Sequence, residues 1–469
     1  MGPSVNRRTF IGGSAAAGLG FAFAGAGTLD AFSRPSEDGP APTATGYGPL
    51  VPDPNHLLAL PQGFSYRVVA QSGQTPTLDG LYPSDPDGMG VFAAAGGGST
   101  LVTNHENSGN ELYAVPAVPG VTYDPGAIGG TSTITVDAQG NLDSQYTSLA
   151  GTSTNCAGGI TPWGTWLTCE ETEARAGSVT GTRTHERDHG YVFEVDPSSR
   201  AANIDKSPVP LKFLGRYSHE AVAVDPSTSQ IYLTEDANAP HGLYYRWTPP
   251  GGFRAGKGAL RRLALSRRGR NAGRLEAMSC FDSSGHIHDL SVATQVGTVY
   301  QVRWVTVPDR NAGSESVRKQ FAPGEVTGSR KLEGQWWGDG GPYFVASFAR
   351  LSDGSAVAHD GQVWHYDPRE RTLTLKTIFG VNPTPSTDSY FDGPDNITVS
   401  AHGGLILAED GGGIQHLIGV TSTGSAYPLA RNEHPAGGEF CGPAFSADGG
   451  TLFANIQFPG YTLAITGPW

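Results

Sequence analysis

The sequence predicts an all-β protein, a six-bladed β-propeller with irregular blades, inserted loops and short helices. Two observations lead to this class. The 469-residue chain contains 66 glycines and 34 prolines but only 16% charged residues, which favours many short strands over long amphipathic helices. From about residue 60 onward, alternating apolar runs lead into Asp-Pro or Asp-Gly turns and then a second alternating run, as in β-hairpins.

The hairpin pattern recurs at a spacing close to that of propeller blades. It is clearest in the segments 190–199, 219–237, 362–370, 395–411 and 442–460. The spacing is irregular, roughly 30 to 50 residues, against 40 to 50 for a typical blade. About six such units fit into the chain on that scale. A pair of β-sandwiches is the alternative architecture for the same pattern.

The chain divides into a signal segment, a short extension and one large domain. Arg7 and Arg8 precede a short, weakly hydrophobic run, IGGSAAAGLGFAFAGAG, that is too interrupted to span a membrane. This arrangement resembles a Tat signal, with a chance arginine pair in a Sec signal as the alternative. Residues 1–30 are therefore assigned to the signal, 31–59 to an extension and 60–469 to the propeller. We expect export to the periplasm or beyond, with no stable membrane anchor.

The segment 251–280 departs from the strand pattern. It is rich in arginine and contains helix-favouring stretches, so we expect a basic insertion, either an arm or a surface helix. A role facing phosphate is the alternative interpretation.

Charge and cysteine content limit the partners. The formal net charge of −13 argues against nucleic acid and is compatible with Ca²⁺ sites. Four cysteines, Cys156, Cys169, Cys280 and Cys441, do not make a disulfide scaffold, although one or two bridges are possible in an oxidising compartment. A closed propeller leaves few exposed strand edges, so a monomer is expected.

Carboxylates recur beside Asn, His or a second acid, mostly just after apolar runs. Adjacent acids repel each other unless a cation compensates, and oxygen-rich clusters suit Ca²⁺. An exposed turn carboxylate is the alternative for any single pair. The groups are Asn104-His105-Glu106, Glu170-Glu171, His219-Glu220, Glu235-Asp236, Glu333, Asp395-Asn396 and Glu409-Asp410.

Cys156 stands apart from these acids. It lies between Thr-Asn and Ala-Gly-Gly, in a tight turn where backbone segments approach closely. A thiolate beside carboxylates is a good ligand for iron or another transition metal. A buried, structural cysteine is the alternative.

Several stretches together resemble the PhoX-type alkaline phosphatases and their relatives. In order, they are NRRTFIGG, VTNHE, NCAGGITPWGTWLTCEET, GRYSHEAVAVDP, YLTEDA, LYYRW, KLEG, GPDNITV and LILAEDG. The resemblance runs from the signal to about residue 411, and the NCAGG…TWLTCEE block is its most specific part. It implies a Tat-exported, six-bladed propeller that hydrolyses small phosphate monoesters with an iron pair and several calcium ions.

The resemblance also implies a role for each matching residue. Cys156 would supply a thiolate to iron, and Glu220 and Glu333 would be carboxylate ligands of the iron pair. Cys156 and the Glu170-Glu171 pair would lie on neighbouring strands of one hairpin, with Cys169 facing the core. The candidates for calcium or bridging positions are Glu106, Glu170, Glu171, Asp236, Asp395, Asn396, Glu409 and Asp410.

The phosphate-binding residue differs from the family pattern. The family has an arginine two positions before the KLEG-type glutamate, whereas this chain has Lys331, with Arg330 one step earlier. Lysine provides a point charge for phosphate but not the bidentate fork of arginine. Lys331 and a nearby arginine such as Arg216 are therefore the catalytic candidates. A calcium-dependent lactonase or phosphotriesterase, and a non-catalytic propeller, are the alternative functions.

Overall fold

The computed structural model describes residues 46–204, 207–238, 241–266, 272–347, 361–384 and 386–469. The twin-arginine segment and the first part of the predicted extension lie outside these described residues. No helix in the described ranges is long and apolar enough to cross a membrane.

Short strands are the main regular secondary structure of the described residues, and every ladder between the named strands is antiparallel. In chain order the strands are β1 (Leu50–Val51), β2 (Leu58–Pro61), β3 (Ser65–Gln71), β4 (Pro86–Ala93), β5 (Ser99–His105), β6 (Gly129–Val136), β7 (Leu142–Thr152), β8 (Asn155–Ile160), β9 (Trp166–Glu170), β10 (Val179–Thr180), β11 (Arg183–Thr184), β12 (Val192–Val195), β13 (His219–Val224), β14 (Ile231–Glu235), β15 (Gly242–Thr248), β16 (Arg274–Asp282), β17 (Gly285–Ile287), β18 (Val299–Thr306), β19 (Gly328–Ser329), β20 (Leu332–Gly338), β21 (Gly341–Ala346), β22 (Gly361–Asp367), β23 (Thr372–Phe379), β24 (Pro394–Val399), β25 (Leu405–Glu409), β26 (His416–Val420), β27 (Ala426–Asn432), β28 (Phe440–Phe445), β29 (Thr451–Ile456) and β30 (Tyr461–Thr466).

Helices are few and short in the same ranges. The α-helices are α1 (Ala201–Ile204) and α2 (Ala259–Leu265). Single 3₁₀ turns occur at Ala95–Gly97, Lys212–Leu214, Leu290–Val292 and Val317–Lys319. The predicted all-β class is therefore confirmed.

The strands form a propeller-like arrangement of twisted sheets. One sheet has the order β4-β5-β6-β7, a second β12-β9-β8 and a third β28-β29-β30-β3. A fourth runs β1-β2-β27-β26-β25-β24. The longest sheet passes from β13–β16 through β18 into β23-β22-β21-β20, so the sheets do not all separate into discrete blades.

Six strands, β4, β8, β13, β20, β24 and β28, lie side by side around a common centre. Each contacts the next in this order, and β28 contacts β4 again, so the circuit closes. We call these the inner strands. The sheets pack face to face through apolar side chains, for example Val102, Leu149, Trp166 and Phe193 between the first two sheets. Burial of these faces stabilises the arrangement.

The two ends of the described chain are held in the sheets. β3, near the start, is the edge strand beside β30, near the end. β1 and β2 extend the β24–β27 sheet, and Tyr47, Leu57 and Leu58 pack into the core of that region. Part of the predicted extension at 31–59 is thus integrated with the sheets.

The basic segment 251–280 is part helix and part sheet. Its helical stretch forms α2, where Leu260 is buried. From Arg274 onward it forms β16, which pairs with β15 and β18. Leu275 and Ala277 face the core, and this alternation explains why the end of the segment is a strand rather than an insertion.

Each inner strand has a register irregularity at its start. The shifts fall at Pro86/Met89, Asn155/Gly158, His219/Val222, Leu332/Gln335, Pro394/Ile397 and Cys441/Ala444. Such bulges redirect side chains and are common beside functional sites. Small residues there allow neighbouring inner strands to approach: a Cβ on Gly334 would lie 2.6 Å from the Asn396 Cα.

We expect Gly334→Ala to destabilise the fold. The new methyl group would meet backbone atoms of Asp395, Asn396 and Ile397, so the inner strands would have to separate. Overpacking of this kind costs about 1–3 kcal/mol. Chemical denaturation measures the change, with Gly251→Ala as the control because its Cβ would meet nothing within 4 Å. Equal stability of the two variants would contradict the tight packing.

Candidate metal centre and active site

The second residue of every inner strand carries a carboxylate or a thiol. These residues are Asp87, Cys156, Glu220, Glu333, Asp395 and Cys441, and we call them the inner ring. All are at most 3% exposed. Because they occupy equivalent positions on strands that surround one centre, the fold converges their side chains from distant parts of the sequence.

A second set of residues follows the next strand of each sheet. The residue immediately after β5, β9, β14, β21, β25 and β29 is Glu106, Glu171, Asp236, Ser347, Asp410 or Gln457, respectively. We call this set the outer ring. Its members are half-buried except for Ser347, which is buried. The two rings are in register, since the residue before each inner-ring residue pairs with the residue before its outer-ring counterpart, as in Asn155 with Glu170.

Ligand atoms of the two rings cluster at metal-binding distances. Groups whose potential ligand atoms all lie within 4.8 Å of one another are Asp87–Glu106–Cys156, Cys156–Glu171–Glu220, Glu220–Glu333–Asp395 and Asp87–Glu439–Cys441. These groups share members, so they form one continuous centre. The structure thus brings together Glu106, Cys156, Glu171, Glu220, Glu333 and Asp395, all of which the sequence singled out.

Cys156 lies at the junction of two of these groups. Its Sγ is 3.1 Å from Glu220 Oε1 and 3.7 Å from Asp87 Oδ2. Burial, followed by the surrounding carboxylates, raises the pKa of this thiol well above its usual value. A thiolate at this position therefore needs a nearby cation, which a soft or borderline metal ion provides.

The backbone at Cys156 is fixed by the VTNHE and TPWGTW motifs. The side-chain amide of Asn104 donates to the carbonyl oxygens of Cys156 and Ala157, at 2.9 and 2.7 Å. The indole N–H of Trp166 in turn donates to Asn104 Oδ1 at 2.9 Å. All of these groups are buried, so the thiol is held in one place before any ligand binds.

Lys331 reaches into the same centre. Its Nζ donates to Glu333 Oε1 at 2.7 Å and to Asp236 Oδ2 at 2.9 Å. Ser347 Oγ also donates to Glu333 Oε1, at 2.8 Å. The Lys331 backbone has φ of 45°, a left-handed conformation that is uncommon for a lysine and often marks a functional position.

The other predicted residues lie at different distances from this centre. Asn396 bridges inner strands, since its amide donates to Asp395 Oδ1 and its oxygen accepts from the Gly442 N–H. Asp410 occupies an outer-ring position on its own sheet. Arg216 is buried and donates to the carbonyl oxygens of Glu173 and His189. These hydrogen bonds hold backbone segments in place.

In each pair of adjacent acids, the first member faces into its sheet. Glu170 accepts from the N–H groups of Ser153, Gly190 and Tyr191 and lies 2.5 Å from His189. Glu409 accepts from the Asp392 N–H and contacts His416 at 2.7 Å. Through these hydrogen bonds the two buried carboxylates stabilise the ends of their hairpins. Their neighbours Glu171 and Asp410 occupy the outer ring.

The structure adds residues that the sequence did not single out. Asp87 belongs to two of the groups, and Gln457 donates to Asp87 Oδ2 and Glu106 Oε2 at 2.9 and 2.6 Å. Cys441, with Glu439, places a second thiol beside Asp87. All four cysteines are free and buried, and Cys169 lies in an apolar core.

The donor set fits a cluster of several cations. Carboxylate and amide oxygens from many strands are the ligands that calcium accepts, and a thiol suits iron. So many acids in a largely buried site repel each other strongly unless cations neutralise them. Lys331 supplies one positive charge among them.

Comparison with known proteins places the chain in a family. The chain matches the family model for alkaline phosphatase PhoX over residues 45–143 and 138–460. Pseudomonas fluorescens PhoX in complex with vanadate, a transition state analogue, has a similar fold: the TM-score is 0.66 at 18% identity, with 92% of this chain and 98% of that chain covered. No curated protein sequence gives a significant match.

Other solved structures are less similar. The PQQ domain of pyranose dehydrogenase from Coprinopsis cinerea gives a TM-score of 0.40 at 13% identity, covering 88% of this chain and 98% of that chain. The periplasmic gluconolactonase PpgL of Pseudomonas aeruginosa gives 0.34 at 12%, covering 79% and 96%. The family model, in contrast, spans nearly all of the described chain, and the protein belongs to the PhoX alkaline phosphatase family.

Proposed function

We propose that this protein hydrolyses phosphate monoesters at a metal cluster held by the inner and outer rings. The observation that carries the proposal is the position of Cys156, a buried thiol among the carboxylates of Asp87, Glu106, Glu171 and Glu220. Family membership supports the reaction class. The cluster would contain iron at the thiol and calcium at the oxygen-rich positions.

The individual ligand roles follow from position. Cys156, Glu220 and Glu333 would hold iron, and Asp87 would extend this set. Calcium would use the carboxylates of the outer ring and the Asp395–Asn396 pair, which are Glu106, Glu171, Asp236, Asp395, Asn396 and Asp410. Glu170 and Glu409 would hold the hairpin ends that carry the ligands.

We also propose six blades, each built outward from one inner strand. The closed circuit of inner strands and the repeated ring positions support this count. The same repeat supports one domain for the described chain, closed where β3 pairs with β30. The twin-arginine segment supports export through the Tat pathway to the periplasm or beyond, with the mature protein a monomer.

Phosphoryl transfer from a monoester requires neutralisation of the charge that develops on the phosphate and leaving-group oxygens. Bound polyvalent cations supply this neutralisation and lower the pKa of water. The chain's own contribution is to hold those cations close together and to exclude bulk solvent, because the inner ring is buried. Lys331, at the edge of the ring, would steady a non-bridging phosphate oxygen as a point charge.

Metal removal tests the proposal directly. We expect the mature protein to contain iron and calcium and to hydrolyse p-nitrophenyl phosphate at alkaline pH. Dialysis against a chelator should remove the activity, and iron with calcium, but not calcium alone, should restore it. Lactone hydrolysis restored by calcium alone would replace this proposal with the lactonase alternative, and a metal-free active protein would overturn the cluster.

Lys331→Ala should weaken phosphate binding. A hydrogen bond to a charged group contributes about 1.5–3 kcal/mol, so kcat/KM should fall by about 10- to 150-fold, and the inhibition constant for inorganic phosphate should rise. Lys331→Arg should retain most of the activity, because arginine also donates to phosphate. Lys257→Ala is the control, since its ion pair with Asp196 is exposed. An unchanged phosphate inhibition constant in Lys331→Ala would exclude the assigned role.

A further inference from the structure

A second cluster of metal-ligating side chains lies in the loops beside the rings. Asp124 belongs to the loop 106–128 between β5 and β6. His185 and His189 belong to the long loop 171–191 between β9 and β12, which includes the two-residue strands β10 and β11. One ring nitrogen of each histidine and one Asp124 oxygen lie within 4.8 Å of one another. The three side chains are at most 1% exposed. Both loops begin at outer-ring residues, Glu106 and Glu171.

His185 offers a nitrogen that the protein itself does not use. Its Nε2 lies 2.9 Å from Thr180 Oγ1, whereas its Nδ1 is buried with no hydrogen-bond partner. In the tautomer whose Nε2–H donates to Thr180 Oγ1, Nδ1 carries a lone pair, and metal binding would select this tautomer. A buried lone pair without a donor costs free energy, and a metal ion would satisfy it.

His189 is held as histidine ligands usually are. Its Nδ1 faces Glu170 Oε1 at 2.5 Å and its Nε2 faces Asp124 Oδ2 at 3.0 Å. A carboxylate on one imidazole nitrogen orients the other toward a metal in many zinc sites. The imidazoles of His185 and His189 are adjacent, with centroids 4.5 Å apart.

The carboxylates around His189 require a positive charge. Glu170 Oε1 and Asp124 Oδ2 face the two nitrogens of this buried ring. A proton on Nε2 is one way to supply that charge. A divalent ion at the same position is another, and its binding would release that proton to solvent.

We propose that Asp124, His185 and His189 form a separate binding site for a zinc-like divalent ion that joins the two loops. Two imidazole nitrogens and one carboxylate oxygen are a typical protein donor set for zinc, whereas calcium takes oxygen ligands. The ion would tie together the segments that start at Glu106 and Glu171. Asp124 Oδ2 already accepts from the N–H groups of Glu186 and Arg187, so the loops are in contact at this point.

Zinc binding to the mature protein and to His185→Ala tests the proposal. Each protein is treated with chelator, incubated with excess Zn²⁺ and freed of unbound metal by gel filtration. We expect His185→Ala to contain one equivalent of zinc less than the wild type. His288→Ala, which removes an exposed histidine, should match the wild type. Equal zinc content in all three proteins would overturn the site.

X-ray absorption at the zinc edge gives an independent readout on the wild type, even if His185→Ala does not fold. Neither ring contains a histidine, so zinc in the central cluster would show no imidazole scattering. Imidazole scattering in the zinc-loaded wild type supports the second site. Its absence would mean that a proton on His189 supplies the charge and would overturn the proposal. Neither readout depends on phosphatase activity.

Discussion

Cys156→Ser is expected to remove the bound iron and to lower kcat/KM for phosphate monoesters by at least about 100-fold. Even residues that only support metal ligands commonly change activity by 10- to 100-fold when mutated. A direct thiolate ligand should have a larger effect, because a serine hydroxyl is a poor ligand for iron at neutral pH. Iron analysis and steady-state kinetics on p-nitrophenyl phosphate measure the two changes.

The fold should survive this substitution. Cysteine and serine are similar in size, and Cys156 contacts carboxylates rather than an apolar core. Cys280→Ser is the matched control, since Cys280 is a buried free thiol in an apolar core. It should keep iron and activity, although its stability should fall. Full activity and iron content in Cys156→Ser would remove Cys156 from the cluster, whereas loss of iron in Cys280→Ser would show that iron content follows the stability of the fold.

The hairpins could be predicted from the sequence because alternation and turn residues are local signals. The segment 219–237 forms β13 and β14, and 442–460 contains most of β28 and all of β29. The continuous sheet from β16 through β18 to β23 could not be predicted. It depends on pairing between strands far apart in sequence, such as Val299 with Thr374, which no local pattern specifies.

The sequence predicts part of the outer ring. Pairs such as Glu170-Glu171 and Glu409-Asp410 mark strand ends, and both members of each pair are candidate metal ligands in the sequence. Because successive side chains on a strand point to opposite sides, only one member of each pair reaches the outer ring. Which one does so depends on the pairing register, and the structure assigns Glu171 and Asp410 to the ring.

The inner ring was harder to recognise at two positions. Asp87 and Cys441 are the second residues of their strands, within the short motifs PDG and FCG, where a turn residue and a structural cysteine are common explanations. The equivalent motifs NCA and LEG show the same order, a ligand followed by a small residue. This order becomes a signal only after the strands are aligned around the centre, since the ring residues come from separate sheets.

Asp87 lies between the two thiols of the inner ring. It shares one group with Cys156 and Glu106 and another with Cys441 and Glu439. Gln457 holds its Oδ2 at 2.9 Å, and the Asn455 amide donates to its carbonyl oxygen at 2.5 Å. The carboxylate is therefore fixed where a cation beside Cys156 would need an oxygen ligand.

Asp87→Asn is expected to reduce metal content and to lower kcat/KM by about 10- to 100-fold, while the protein stays folded. Asparagine preserves the shape and an oxygen acceptor for Gln457, but it removes one negative charge from the site, so cations should bind more weakly. Metal analysis after dialysis and kinetics at saturating calcium measure the effect. Asp282→Asn, at the exposed end of β16, is the control and should change neither quantity. If Asp87→Asn retained its metals and activity, Asp87 would only organise the strand start, and the cluster would rest on Cys156, Glu220 and Glu333.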